Sequence, residues 1–304
     1  MTAKYAWINE HRHHWPVTGM CQTLKVSTSG FYDWQNRKSA PPTPTAKAKQ
    51  KRRDLIEEIF HKSRKIYGYR KISVELRKRG ITCSPNTVYA DCKRAGIQSV
   101  SQKRFRVRTT DSHHNLPVAK NILNRDFKAQ RPNEKWLTDI TYVATLEGFL
   151  FVVAIIDLFS RKVIGYAMAD HMRTELVVEA LRMPLARGRK ILGEIWLHSD
   201  RGVQFSSSMF REVLSVAQIG QSMSRKGDCW DNAPCESWFG KLKAEWIYPH
   251  GIYATREEAK LHIIEYIEMF YNSERVHQAL DYWTPNEIEE KYFDHEMVLT
   301  PVSH

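Results

Sequence analysis

Between Trp136 and Met168 the chain holds three β-rich runs: Trp136–Thr145, Phe149–Phe159 and Lys162–Met168. Only the breaks at Glu147–Gly148 and Ser160–Arg161 separate them. Links that short join antiparallel neighbours, because a parallel neighbour needs a crossover of roughly a dozen residues or more. The centre of the sequence therefore predicts an antiparallel meander, and whatever fold the chain adopts has to be built around it.

The segments after the meander alternate. A helix is expected over Thr174–Arg187, a short buried strand at Ile195–Leu197, a helix over Ser207–Val216 and a strand at Ile219–Met223. The polar loop Ser224–Asp231 then leads into a helix over Ala233–Trp246, and a last long helix covers Arg256–Tyr271. Three antiparallel strands followed by alternating helices and strands is the order of a ribonuclease-H-like α/β core, with further strands and helices on both faces. This core is expected over residues 131–290, with 291–304 as a C-terminal tail.

The N-terminal part reads as all-α. Met20, Leu24 and Val26 lie on a helix over Thr18–Val26. The polar turn Ser27–Gly30 and then Phe31–Trp34 come after it, giving a helix-turn-helix-like unit over residues 1–40, or equally a plain helical hairpin. Pro41, Pro42 and Pro44 interrupt the chain. A basic helix from Ala46 to Lys65 comes next, then a short helix ending near Gly80. Ser84–Pro85 opens another helix, running to Ala95, with Ser as N-cap and Pro in the first turn. Residues 46–100 thus form a second helix-turn-helix domain, and Asn86, Thr87, Tyr89, Lys93 and Arg94 are its candidate DNA contacts. Residues 101–130 read as a basic linker in which Lys103, Arg104, Arg106 and Arg108 could follow phosphates, or serve as an ordinary solvated connection.

Charge divides the chain in the same place. Residues 1–130 carry 27 Lys+Arg against 9 Asp+Glu, and the remainder carries 19 against 25. A basic half beside an acidic half suits a protein that holds nucleic acid with one part and does something else with the other. The five cysteines include no C-x-x-C pair, so neither a disulfide framework nor a zinc ribbon is indicated. No secretory h-region and no run of about 18 apolar residues occurs, which predicts a soluble, reduced, intracellular protein without a membrane partner.

Three carboxylates stand out. Asp139 lies inside the first β-run, sharing a face with Thr141 and Val143. A carboxylate there is costly to bury unless it is paired or binds metal. Asp200 follows the short strand, and Glu236 falls in the first turns of the helix opened by Asp231–Asn232–Ala233–Pro234. Gly240 and Lys243 share its face at i+4 and i+7, so Lys243 is a candidate phosphate contact. Each has a plainer reading: a lone Asp as an edge residue, Glu236 as a charge favourable to the helix dipole, His198 as a core histidine, Asn232 as an N-cap. Asp157, near the end of the second β-run, rivals Asp139 and is expected to be structural.

Spacing changes the balance, because 35 residues separate Asp200 from Glu236. This resembles the D-D-35-E arrangement of retroviral integrases and bacterial insertion-sequence transposases. The motifs Trp136-x-Thr138–Asp139–Ile140–Thr141, His198–Ser199–Asp200–Arg201–Gly202, Ser222–Met223–Ser224-x-x-Gly227, Asp231–Asn232–Ala233-x-x-Glu236–Ser237 and Tyr271–Asn272-x-x-Arg275-x-His277-x-x-Leu280, with Tyr67–Gly68–Tyr69–Arg70 upstream, resemble the second-frame product of the insertion-sequence family that uses two overlapping reading frames. The resemblance implies that Asp139, Asp200 and Glu236 form a catalytic, metal-binding triad. It implies two Mg²⁺ ions, with Mn²⁺ as a substitute, and double-stranded DNA as substrate, both as terminal inverted repeats and as target. The expected chemistry is hydrolysis that frees a 3′-OH, then strand transfer. His198, Asn232, Arg275 and His277 are expected to support the site. A homo-oligomer on DNA is expected, as is an upstream-frame helix-turn-helix and leucine-zipper product as partner. A non-catalytic DNA-binding regulator and a ribonuclease-H-type nuclease without strand transfer are the rival readings. Carboxylates facing phosphate argue against the first, and two DNA-binding units against the second.

Overall fold

The computed structural model describes residues 1–41, 43–100, 117–189, 191, 193–225 and 229–299. The linker cations Lys103, Arg104, Arg106 and Arg108 lie outside the described residues. The chain divides into two compact units, Met1–Glu58 and Ile59–His304.

The first unit contains helices α1 (Thr2–His11), α2 (Val17–Thr23) and α3 (Thr28–Ser39), then the greater part of α4 (Pro44–Lys62). Tyr5, Ile8, Met20, Cys21 and Phe31 meet in its core. The polar stretch Ser27–Gly30, expected as a turn, is instead the start of α3. Ser27 is the N-cap, and its hydroxyl accepts the Gly30 N–H at 3.3 Å. The true turn lies earlier, at Lys25, with φ 50°.

The second unit opens with α5 (Tyr69–Lys78) and α6 (Pro85–Arg94), which pack together through Ile72, Leu76, Val88 and Cys92. Ser84 caps α6 by accepting the Thr87 N–H at 3.2 Å, as its Ser–Pro start demands. The helix expected to reach Lys65 stops at Lys62, because Arg64 and Lys65 turn the chain with φ of 53° and 64°.

The core is a mixed five-stranded sheet in the order β3-β2-β1-β4-β5. Strands β1 (Lys135–Thr145), β2 (Gly148–Asp157) and β3 (Val163–Ala169) form the antiparallel meander. After α7 (Thr174–Ala186), β4 (Ile195–Ser199) adds parallel to β1. After α8 (Ser208–Val216), β5 (Ile219–Met223) adds parallel to β4. One sheet face, with Trp136, Ile140, Val153, Ile155, Ile195 and Leu197, packs on α7 and α8. Leu176 and Leu181 of α7 are fully buried there, each contributing roughly 1.5–3 kcal/mol. The alternate residues Leu137, Val152, Ala154 and Ile156 lie on the opposite face. Two further helices pack on β1: α9 (Ala233–Leu242) and α11 (Arg256–Ile264). Both depart from plain α-helix. After α9 the chain passes through a π-turn (Lys243–Ile247) into the single turn α10 (Tyr248–His250), and α11 runs into a π-segment (Glu265–Tyr271). The last helix is α12 (Pro285–Leu299).

Gly165 shows how tightly α7 sits on the sheet. Pro184 within α7 cannot donate to the Ala180 carbonyl, which is left facing β3. A Cβ on Gly165 would lie 2.4 Å from that oxygen and 2.8 Å from Pro184 Cδ. Gly165→Ala is therefore expected to destabilise the second unit by about 1–3 kcal/mol through overpacking. Gly240→Ala, where nothing lies within 4 Å of the added Cβ, should instead be neutral or stabilising by up to about 1 kcal/mol, as Ala is the better helix former. Urea denaturation of the two variants checks both, and a neutral Gly165→Ala would contradict the packing described.

Candidate active site

The parallel pairing of β1 with β4 places Leu137 opposite His198. Two residues further along each chain, Asp139 and Asp200 come side by side on the face opposite the α7–α8 core. Across β1 on the other side, Asp139 pairs with Ala154. Each carboxylate is fixed by the backbone next to it. Asp139 Oδ1 accepts the Ile140 N–H at 2.8 Å, and Asp200 Oδ1 accepts the Gly202 N–H at 2.9 Å. Asp200 thereby closes the turn out of β4.

Glu236 arrives from α9. The helix starts after a 3₁₀ turn (Cys229–Asn232). Asn232 occupies the N-cap position without a capping bond. Its side chain instead donates to the Thr138 carbonyl at 3.2 Å, one residue before Asp139. This tether sets the start of α9 over β1. Trp238 and Leu242 point inward and are buried, as expected, whereas Glu236 is exposed.

The three carboxylates act on one another. Burial first, then Asp200 and Glu236, push the Asp139 carboxyl well above the usual range, and Lys243 and the Ile140 N–H pull the other way. Burial and the same three carboxylates push the Cys235 thiol up. Lys243, its ammonium 5.3 Å from the Tyr142 ring, is itself pushed down by burial and drawn up by Asp139. Three carboxylates around one lysine leave excess negative charge, and oxygen donors on rigid backbone suit Mg²⁺. Among the described residues no group of three or more His, Cys, Asp and Glu side chains is drawn together closely enough to hold a metal ion.

His198 lies beneath Asp200, fully buried. Its Nδ1 bonds the Ser222 hydroxyl at 2.8 Å and its Nε2 the Ser224 hydroxyl at 3.1 Å. Burial lowers its pKa to about 4, so the ring is neutral. The Ser222-x-Ser224 motif is thus a seat for His198. Ser224 also bonds back to the Ser199 carbonyl, and Arg201 Nε reaches the Ser224 carbonyl at 2.7 Å.

Arg275 and His277 do not sit among the carboxylates. Arg275 is buried against Glu245, with Nε donating at 2.7 Å, and lies beside His277. Asn272 clamps β3 by accepting the Val163 N–H at 3.0 Å and donating to the Val163 carbonyl at 2.9 Å. On α6, Asn86, Tyr89, Lys93 and Arg94 are exposed, and Thr87 is half-buried against Ser84. Arg94 pairs with the buried Asp91 at 3.2 Å. Asp157, the rival carboxylate, is buried on the face opposite Asp139. It accepts N–H groups from Asn133 and Phe159 and faces Arg189. Burial nevertheless raises its pKa to about 6.

One residue of the motifs has a part that sequence reasoning missed. Asp231 is buried at the mouth of the loop before α9. It accepts from Arg225 (backbone N, Nε and Nη2, at 2.8–3.0 Å), from Arg125 Nε at 3.0 Å and from Asn121 Nδ2 at 2.8 Å. No local pattern signals it, since Asn121 and Arg125 lie more than 100 residues upstream.

Two integrase core domain models match residues 129–229 and 217–285, and an HTH-like domain model matches residues 47–105. The chain is 36% identical to the transposase InsF for insertion sequence IS3A of Escherichia coli strain K12, over 95% of this chain and 99% of that protein. It is 38% identical to the insertion element IS600 uncharacterized 31 kDa protein of Shigella sonnei, over 91% of this chain and 99% of that one. The chain belongs to the IS3-type insertion-sequence transposases. It is therefore a DDE transposase, a polynucleotidyl transferase of the integrase superfamily, and its sheet is the ribonuclease-H-like integrase core. Two solved structures also align with this transposase. One is a simian T-cell lymphotropic virus intasome with PP2A regulatory subunit B56 gamma (TM-score 0.45, 15% identity, 71% of this chain and 70% of that one). The other is the HTLV-2 integrase catalytic core domain in complex with magnesium, in its trimeric form (TM-score 0.42, 16% identity, 53% and 99%). Among the described residues no helix is long and apolar enough to cross a membrane.

The Asp231 clamp carries a pH signature. Hydrogen bonds from Arg225 hold its carboxyl far below the usual range. A depressed carboxyl stabilises the fold above its unfolded pKa of about 4 and loses that contribution as pH falls below it. Because both arginines are about half exposed, Asp231→Asn should cost only about 1–2 kcal/mol at neutral pH. The gap to wild type should begin to narrow below about pH 4 and keep narrowing as pH falls toward the depressed folded-state value. Urea midpoints measured from pH 7 to pH 3 check this, and a gap that stays constant would refute the assignment.

Proposed function

We propose that this transposase binds the terminal inverted repeats of its element, cleaves the ends to free a 3′-OH, and joins that 3′-OH to target DNA. Asp139, Asp200 and Glu236 would hold two Mg²⁺ ions, with Mn²⁺ able to substitute. When bound, the ions polarise the scissile phosphate and stabilise the entering and leaving oxygens of an in-line displacement. The observation that carries this reading is the β1–β4 register: it sets two aspartates abreast, within electrostatic reach of Glu236.

The chain's own groups divide the remaining work. Asp139 and Asp200 are anchored to backbone N–H groups and give a fixed edge to the site. Glu236 is exposed on its helix, so it can adjust when DNA arrives. Lys243 stands on the same helix face and offers a cation to a neighbouring phosphate. His198, neutral and doubly bonded, holds the strand beneath Asp200 in place. Since the 3′-OH itself attacks in the joining step, no covalent enzyme intermediate is required. The α5–α6 pair would present Asn86, Thr87, Tyr89, Lys93 and Arg94 to the repeat. Synapsis of two ends calls for more than one copy, and an upstream-frame product with its own helix-turn-helix and zipper would add end recognition. The substrate places the protein with the nucleoid in the bacterial cytoplasm.

A strand-transfer assay tests the reading, with labelled element-end DNA, purified full-length protein and Mg²⁺. Asp200→Asn and Glu236→Gln are each expected to reduce joined product by more than about 100-fold, beyond the 10–100-fold typical of outer-shell changes. End binding should survive. Joining that persists in either variant, or end binding lost together with joining, sinks the triad. Wild-type binding without cutting, under any metal and with the upstream product added in trans, would favour a regulator.

A further inference from the structure

A second concentration of charge lies away from the carboxylates, where the HTH-like α5 meets the integrase core. Tyr67, just before α5, donates to the Glu274 carbonyl at 2.9 Å and accepts the Val276 N–H at 2.9 Å. The motifs Tyr67–Arg70 and Tyr271–Leu280 are thereby joined. Lys71, in the first turn of α5, lies with its ammonium 4.9 Å from the Tyr67 ring. The N-terminus of α5 has no side-chain cap, and such an end favours anions. Burial first, and then four cations, Arg275, Lys241, Lys71 and Arg161, hold His277 neutral. Glu245 is the carboxylate acting on Lys71, Lys241 and Arg275 alike, and both its oxygens are taken by Arg275. Glu75 acts on Tyr67, and Asp157 acts on Arg161. Tyr266 and Tyr271 are buried and remain protonated, so they add no negative charge. Even counting Glu245, the cluster is left positive.

Resting on the reading that this chain binds element-end DNA, we propose that Lys71 and Lys241 form a seat for one DNA backbone phosphate, backed by the Arg275–Glu245 pair. The seat is separate from the carboxylate site. On α9, Lys241 is five residues beyond Glu236 and so points well away from the face that Glu236 and Lys243 share. Burial and its cationic neighbours lower the Lys71 pKa to about 7, the direction expected of crowded cations that lack an anion. Lys71 and Lys241 are partly buried but not enclosed, so a phosphodiester can reach them. One phosphate would then be held jointly by the end-binding helices and by the helix that carries Glu236, which sets the distance between the recognised sequence and the cut.

The test is the salt dependence of DNA binding by the full-length chain, read with chelator present on a short duplex, so that no catalysis is involved. The Lys71→Gln/Lys241→Gln double variant should bind less tightly at low salt. Its slope of log affinity against log salt should fall by about 1, as expected when one neutralised phosphate is lost. The Lys71→Arg/Lys241→Arg variant should keep the wild-type slope, and thermal melts confirm that both variants are folded. A folded double-Gln variant with an unchanged slope overturns the proposal. So does an inorganic-phosphate thermal shift that disappears in that variant while the DNA slope stays the same, because the seat would then take free phosphate only. Because binding is read without metal, failure here leaves metal-dependent joining intact. Failure of joining in the Asp200→Asn protein, conversely, leaves the slope measurable.

Discussion

Asp139 on β1 and Asp200 just past the end of β4 repel, and the candidate site is arranged to hold them together anyway. The force that does so is the short parallel ladder between β1 and β4, Lys135 to Leu137 against Trp196 to His198. A shift of one residue in that register would turn Asp200 to the opposite sheet face. Register is secured by burial: Trp136 and Leu197 sit fully enclosed on one face, while Leu137 and His198 fill the other. His198 is a polar group that can occupy a core position because Ser222 and Ser224 satisfy both ring nitrogens. Both serines come from β5 or the residue after it, so the outermost strand supports the position of Asp200.

Electrostatics inside the domain separate into three neighbourhoods with different outcomes. Asp231 is buried but surrounded by arginines and stays charged. Asp157 is buried among backbone donors and one arginine, and burial outweighs them. Asp139 has carboxylate neighbours and a single lysine, so its charge is the least compensated of the three. A carboxyl so placed either stays protonated or is completed by a cation from outside. That contrast, more than the presence of any one aspartate, distinguishes the candidate site from the structural acids around it.

The parts of the fold that are legible in the sequence are those decided locally. The two short breaks dictate the meander, Ser84–Pro85 dictates the start of α6, and the 35-residue spacing, through the family resemblance, makes Asp200 and Glu236 candidates for one site. The parts that are not legible depend on distant partners. Glu245 finds Arg275 across 30 residues, and Tyr67 finds Val276 across 209. Nothing in either local pattern marks them as paired. The Ser27–Gly30 stretch is ambiguous because Ser and Gly favour both turns and helix N-termini, and only the Ser27-to-Gly30 bond decides between them. The π-segments are invisible for a related reason: an extra residue in a helical turn leaves the apolar pattern nearly intact while rotating the turns beyond it.

That rotation matters for how the domain is joined. Within one continuous helical stretch, Glu236 faces the aspartates, Lys243 reaches toward Asp139, and Glu245 turns to Arg275 and Tyr266. The π-turn begins at Lys243, between these two allegiances. A second π-segment, Glu265–Tyr271, supplies Tyr266 and Phe270 to meet Trp246 from the first. The two widened turns thus pack against each other, and beside them lies the Arg275 hub that Tyr67 closes. Wide turns shift side chains off the regular i+4 grid, and π-turns recur at functional sites. Here the departure lets a single helix serve the carboxylate site with its first turns and the HTH-like helices with its last. Tyr67, bonded to the backbone on either side of Arg275, and the Arg275–Glu245 pair thus link the start of α5 to the helix that carries Glu236.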